Sequence, residues 1–102
     1  MEWPIGSDSA LEALAPRLKV CGHPLRLKIL CAILREDDYC VTELWKCLDE
    51  SQPVISQHLA VLKRKGIVSA RTERNRRIYS IDDPVIRKLI GALSTDTPRA
   101  PA

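Results

Sequence analysis

Apolar positions along this chain fall into blocks of two different periods. Leu11, Leu14 and Leu18 recur at helical spacing, as do Leu27, Leu30, Cys31 and Leu34, then Leu44, Cys47 and Leu48, then Ile55, Leu59 and Leu62, and finally Val85, Ile86, Leu89, Ile90 and Leu93. Each block predicts a helix with one buried face. After Gly66 the period shortens to alternation: Ile67, Val68, Ala70 and Thr72 form one arm, Ile78, Tyr79 and Ile81 the other, and a β-hairpin is predicted. The punctuation agrees with both periods. Asp8 or Ser9 caps the first helix, which Pro16 is expected to kink or divide, and Pro24 opens the second. Glu36-Asp37-Asp38 reads as a turn, and Thr42 caps a short third helix from Glu43 to about Asp49. Ser51 caps the fourth helix with Pro53 in its first turn, Gly66 ends it, and Asp82-Asp83-Pro84 starts the last, Val85 to Leu93.

Two helices about the tight turn Asp49-Glu50-Ser51 make a helix-turn-helix, and the hairpin makes it winged. The expected fold class is mainly α with a small β-hairpin: five helices plus a two-stranded wing, in one domain over residues 8–93. Residues 1–7 read as a flexible arm and 94–102, with two prolines, as a disordered tail.

The polar positions of the fourth helix carry the first chemical signal. Opposite its apolar face stand Gln52, Ser56, Gln57 and Lys63. Short polar side chains near a helix N-terminus suit hydrogen bonds to base edges in a major groove, and Gln can take adenine in bidentate fashion. The hairpin carries the second signal. Lys63, Arg64, Lys65, Arg71, Arg74, Arg76 and Arg77 are seven of the sixteen basic residues, while the formal net charge of the whole chain is only +3. Charge concentrated in this way reads as a stripe for DNA phosphates; the plainer alternative is a solvated hairpin with arginine for solubility.

Composition narrows the classes. At 102 residues, 45% hydrophobic and 28% charged, with no Phe, the chain has one modest core of Leu, Ile, Val and Ala. No apolar run approaches bilayer length and the N-terminus lacks the order of a secretory signal, so a cytoplasmic protein is expected. No nucleophile–base pair, phosphate-binding glycine loop or paired carboxylates point to an enzyme. A winged-helix module for protein–protein contact is the remaining alternative, although such a module would more often show an apolar patch where this chain shows Gln52 and Gln57. The first and last helices are both more apolar than one small core requires, and Leu11, Leu14, Ile86, Leu89, Ile90 and Leu93 are expected to join two copies as a two-fold dimer.

From about Leu11 to Leu93 the chain resembles the ArsR/SmtB winged-helix repressors. The resemblance is carried by Leu18-Lys19 through His23-Pro24-Leu25-Arg26-Leu27, Val41-Thr42-Glu43-Leu44, Ser51-Gln52 with Val54-Ile55-Ser56-Gln57-His58-Leu59, Leu62-Lys63 with Gly66-Ile67-Val68, and Ile78-Tyr79-Ser80-Ile81. It implies a homodimer built on the first and last helices, a repressor on an imperfect palindromic operator, and release when a ligand or oxidant alters the dimer. By position it implies base contacts from Gln52, Ser56 and Gln57, backbone contacts from Thr42 and His58, and wing contacts from Arg74 and Arg76. Wings of that family often have Gly where this chain has Arg74-Asn75, and Asn tolerates a left-handed backbone.

The trigger is sought among four cysteines. One class of the family binds soft metals or arsenite at a motif like ELCVCDL. Here the matching segment is Asp38-Tyr39-Cys40-Val41-Thr42-Glu43-Leu44, which keeps the first thiol and has Thr42 for the second. Cys47 is a possible substitute, but arsenite takes three thiolates and cadmium usually four soft ligands, so further cysteines would have to join. The zinc class uses acid and histidine ligands on the last helix; Asp83 matches one and no His follows it. The persulfide class pairs a second-helix thiol, which Cys31 resembles, with one on the last helix that this chain lacks. Cys31 and Cys47 lie on apolar helix faces and also read as packing, and Cys21 sits at an interhelical corner. Cys40, expected just before a helix N-terminus where the dipole favours a thiolate, is the leading sensor candidate, with Cys47 second.

Overall fold

The structure is a computed structural model that describes residues 8–36, 39–40, 44 and 46–96. Its elements are α1 (Asp8–Cys21), α2 (Pro24–Glu36), β1 (Tyr39–Cys40), α3 (Gln52–Arg64), β2 (Val68–Glu73), β3 (Arg76–Ile81) and α4 (Pro84–Asp96). Four helices are complete among the described residues, where the sequence predicts five. Of the expected third helix, Glu43 and Trp45 lie outside the described residues, and Leu44, Lys46 and Cys47 are helical. The turn that follows is tight because Asp49 adopts φ 55°, a left-handed conformation that Asp tolerates better than most side chains.

Three other elements differ from expectation. Pro16 neither kinks nor divides α1, which is continuous from Asp8 to Cys21. Pro16 and Glu12 are both exposed, so the Glu12 carbonyl that loses its amide partner faces water. The wing is the outer part of a three-stranded sheet of order β1-β3-β2, with β1 pairing antiparallel to β3 through Tyr39–Tyr79 and Cys40–Ile78. Cys40 therefore lies on a strand, and the residues 41–43 that join it to the helical Leu44 lie outside the described residues. The last helix runs to Asp96, past its expected end at Leu93.

The core is aliphatic, as the absence of Phe requires. Ile29, Leu30 and Ile33 of α2, Ile55, Leu59 and Leu62 of α3, Ile86 and Ile90 of α4, and Leu44 ahead of the turn into α3 are almost fully enclosed. Each such side chain contributes roughly 1.5–3 kcal/mol relative to exposure. At the C-terminus of α3, Gly66 at φ 75° lets its own amide bond the Lys63 carbonyl at 3.0 Å and the Ile67 amide bond the Leu62 carbonyl at 2.9 Å. That reciprocal pair closes the helix and turns the chain into the wing. The Ile67 carbonyl then accepts the amides of Asp82 at 2.8 Å and Asp83 at 3.3 Å, which fastens the base of β2 to the end of β3.

Asp83 is the one charged residue buried among the described residues, 6% exposed. Its Oδ1 accepts the amides of Val85 at 3.0 Å and Ile86 at 3.2 Å, capping α4, and its Oδ2 pairs with Arg17 of α1. Burial pushes its pKa up, but the Ile86 amide, the Arg17 side chain and the Val85 amide outweigh burial and hold it below its ordinary value. A depressed folded pKa contributes stability above the unfolded value, and the contribution is lost as pH falls through the folded value. Asp83→Asn is expected to lose about 1–3 kcal/mol at neutral pH. In urea unfolding the gap to wild type should close as pH drops below about 4; a gap that persists unchanged in acid would rule out the charge as its source.

Candidate nucleic-acid interface

Helix α3 owes its position to one face and its chemistry to the other. Ser51 caps it, with extended backbone at φ −73° and ψ 152°, its hydroxyl accepting the Val54 amide at 3.4 Å and its carbonyl the Ile55 amide at 3.2 Å. Ile55, Leu59 and Leu62 are sunk in the core at 0–1% exposure. Gln52, Ser56, Gln57 and Lys63 are exposed, and none of their side chains bonds to a protein group among the described residues. An unsatisfied polar strip on a helix held this firmly has its donors and acceptors in place for base edges. Thr42, the expected backbone contact at the mouth of the helix-turn-helix, lies outside the described residues.

His58 is not on that free strip. It is half-buried, its Nδ1 accepts from Arg26 Nε at 3.0 Å, and its ring meets that of His23 at 4.7 Å and 49°. Burial, then the neighbouring His23 and Arg26, keep its pKa below the ordinary value against a smaller opposing effect of Glu50. His58 thus braces α3 against α2 as a neutral ring, with its second nitrogen as the remaining polar group.

The wing tip is a two-residue turn between the paired residues Glu73 and Arg76, with Arg74 at φ 49° and Asn75 at φ 67°. Both central residues are left-handed, the mirror-image turn that matches the twist of a hairpin. Asn tolerates this; Arg does not, and the position costs roughly 1 kcal/mol relative to a relaxed residue. The other arginines differ in availability. Arg71 Nε bonds Glu73 Oε2 at 3.0 Å, an exposed pair of little worth to stability, and Arg77 lies 5.8 Å over the Tyr79 ring with its Nε donating to the Tyr79 hydroxyl at 3.2 Å. Arg74 has no partner among the described residues, and Arg76 stands opposite Glu73 at the strand end.

The residues expected at a dimer face divide. Ile86 and Ile90 are 1% and 2% exposed and are taken up by the core of the single chain. Leu14 is half-buried against the same core, whereas Leu11, Leu89 and Leu93 are 37%, 41% and 50% exposed. Leu18 and Val85, not named from the sequence as dimer residues, are equally exposed. On α4 the open residues Val85, Leu89 and Leu93 are spaced i, i+4, i+8, one position out of phase with the buried pair; a broad stripe conceals that split. Beside them an apolar hollow of about 270 Å³ is lined by Leu18, Cys21, Leu27, Ile86, Leu89 and Leu93.

The thiols are dispersed. Cys21 is buried at 4%, and burial, with Asp83 nearby, pushes its thiol up. Cys31 is half-buried against the core, and Cys47 is exposed, not on a packed face as its apolar neighbours suggest. Among the described residues no three His, Cys, Asp or Glu side chains gather as a metal site.

An exposed polar helix, a tight turn and a basic wing define a winged helix-turn-helix regulator. The model of the "Bacterial regulatory protein, arsR family" matches residues 23–70. An HTH-type transcriptional regulator of Methanocaldococcus jannaschii is 38% identical over 78% of this chain and 89% of its own length. The biofilm growth-associated repressor of Xylella fastidiosa is 34% identical over 80% and 71%. Reduced HlyU from Vibrio cholerae superposes with a TM-score of 0.80 at 33% identity, covering 89% of this chain and 96% of that one. The chain belongs to the ArsR/SmtB family of winged-helix transcriptional repressors and is a DNA-binding regulator, not an enzyme. No described helix is long and apolar enough to cross a membrane.

The strain at the wing tip is open to direct measurement. Arg74→Gly is expected to raise the stability of the isolated protein by about 0.5–1 kcal/mol in urea unfolding, because Gly occupies φ 49° without a Cβ penalty. A fall in the unfolding midpoint would show that Arg74 earns its place through the fold.

Proposed function

We propose that this protein is a cytoplasmic homodimeric repressor that holds an imperfect palindromic operator and lets go in response to a change at its cysteines. The observation that carries the DNA-reading half is the pairing of an unpartnered polar strip, Gln52, Ser56, Gln57 and Lys63, with a wing tip that keeps Arg74 at an unfavourable φ. Stability alone favours Gly there, so the retained charge is best explained by use against phosphate. Thr42 and His58 contact the DNA backbone, His58 through its free ring nitrogen, and Arg74 and Arg76 hold the minor-groove side.

Dimerisation is supported by the outer faces of α1 and α4. Leu11, Leu18, Val85, Leu89 and Leu93 are the exposed large apolar side chains among the described residues, and all five lie on those two helices. Two copies joined there present two reading helices, as paired half-sites require.

The trigger is assigned to Cys40, with Cys47 as a second thiol. Cys40 is paired through its backbone to Ile78 of β3, so a change of ligand or oxidation state at β1 has a short covalent and hydrogen-bonded route to the wing. Soft metal or metalloid ions, arsenite or cadmium, and thiol oxidation or persulfidation are the chemistries that such a thiol accepts.

Fluorescence anisotropy on the duplex upstream of the protein's own gene tests both halves. Gln57→Ala and Arg76→Ala are each expected to weaken binding, by about 1–3 kcal/mol for the lost base contact of Gln57; wild-type affinity in both would remove the reading surface from these residues. With arsenite or cadmium added beside a non-chelating reductant, release is expected in the wild type. Cys40→Ser should bind DNA normally and fail to release, and normal release by that variant would place the sensor elsewhere.

A further inference from the structure

Between α2 and α3 runs a groove of about 360 Å³ lined by Arg26, Gln57, His58, Ala60, Val61 and Arg64. Two guanidinium groups border it and no carboxylate does. Gln57, Val61 and Arg64 follow one strip of α3 at i, i+4 and i+7, so the groove begins at a base-reading residue and climbs toward the C-terminus of the helix. From Gln57 to Arg64 the rise is about 10 Å. A major groove is about 8.5 Å deep, and a reading helix enters it by its N-terminal residues. A helix that meets the bases by its N-terminal residues therefore has Arg64 on the backbone-ward side of Gln57.

Arg26 is fixed in this groove by the fold. Its Nε donates to His58 Nδ1 at 3.0 Å and its Nη1 to the Val20 carbonyl at 3.0 Å, and no other protein acceptor takes its remaining donors among the described residues. His58 is steadied by the ring of His23, whose Nδ1 in turn accepts the Leu25 amide at 3.1 Å. Arg64 makes no side-chain hydrogen bond or ion pair among the described residues, and it is exposed. Two cations beside one groove repel each other until an anion lies between them, and a phosphate there gains charge-assisted hydrogen bonds from both.

We propose that this groove seats a single DNA backbone phosphate between Arg26 and Arg64, continuing the contact line of Gln57 out of the major groove. The inference rests on the DNA-binding reading above and adds two residues to it. Such a contact is blind to base sequence and registers in the salt dependence of binding, where each phosphate neutralised contributes about 0.9 to the slope of log affinity against log salt.

The test is anisotropy on a fluorescein-labelled duplex of mixed sequence, titrated with KCl between about 50 and 200 mM. Arg64→Gln is expected to bind more weakly, with a slope shallower by about 0.9. Lys88→Gln, which removes the same charge from an exposed position on α4, should keep the wild-type slope. The double variant Arg26→Gln/Arg64→Gln should lose no more than about 0.9 of slope in all, because one phosphate is shared. A wild-type slope in Arg64→Gln overturns the seat and leaves DNA binding standing. So does an equal loss in Lys88→Gln, which would reduce the effect to net charge, or a doubled loss in the double variant, which would mean two separate phosphates. If the wild type binds neither this duplex nor its own upstream duplex, the parent reading falls and this one with it.

Discussion

Three parts of the chain meet on the carboxylate of Asp83. It stands two residues past the wing strand β3, caps α4 through two backbone amides, and takes the guanidinium of Arg17 from α1, sixty-six residues away in sequence. A buried carboxylate without such partners would be costly, and supplying them is what forces α1, the wing base and α4 into one arrangement. The Ile67 carbonyl accepts the Asp82 and Asp83 amides at the same corner, so the exit of α3 is tied in as well. The helix that reads and the helices that present an apolar outer face are therefore parts of one rigid frame.

Within that frame the division of labour follows helical geometry. On α3 the core takes Ile55, Leu59 and Leu62, and what remains outward is polar and unpaired. On α4 the core takes Ile86 and Ile90 and what remains outward is Val85, Leu89 and Leu93. One free face suits nucleic acid and the other suits a second apolar surface, because the hydrophobic effect rewards covering leucine and does nothing for glutamine. The histidines serve the same frame. His23 accepts the Leu25 amide at the start of α2, and His58 accepts from Arg26 and so ties α3 to α2.

The described thiols, Cys21, Cys31 and Cys47, sit in different surroundings. Cys21 is enclosed with its thiol pushed toward the protonated form, and Cys47 is open to solvent. Cys40 alone is on a strand hydrogen-bonded to the wing. Its place beside β3, more than thiol count, is why it is proposed as the sensor.

Much of this architecture is legible in the residues themselves. Local signals act over a few residues: the Ser51 cap, the Gly66 stop and the alternation that makes the hairpin all appear as the spacing predicts, because caps and turns are decided by backbone geometry near at hand. The polar strip of α3 is equally local, being what is left when a helix seats its apolar side. Tertiary structure alone decided the rest. The broad stripe of the last helix does not reveal that Ile86 and Ile90 belong to the core while Val85 and Leu89 lie outside, since that depends on the angle at which α4 meets α2. Asp82 and Asp83 look like equivalent turn acids until Arg17 arrives from α1. Nothing along the chain shows that Arg26 takes the Nδ1 of His58, or that β3 pairs with the backbone of Cys40. Each of these outcomes is set by a partner far away along the chain, whose approach no local period encodes.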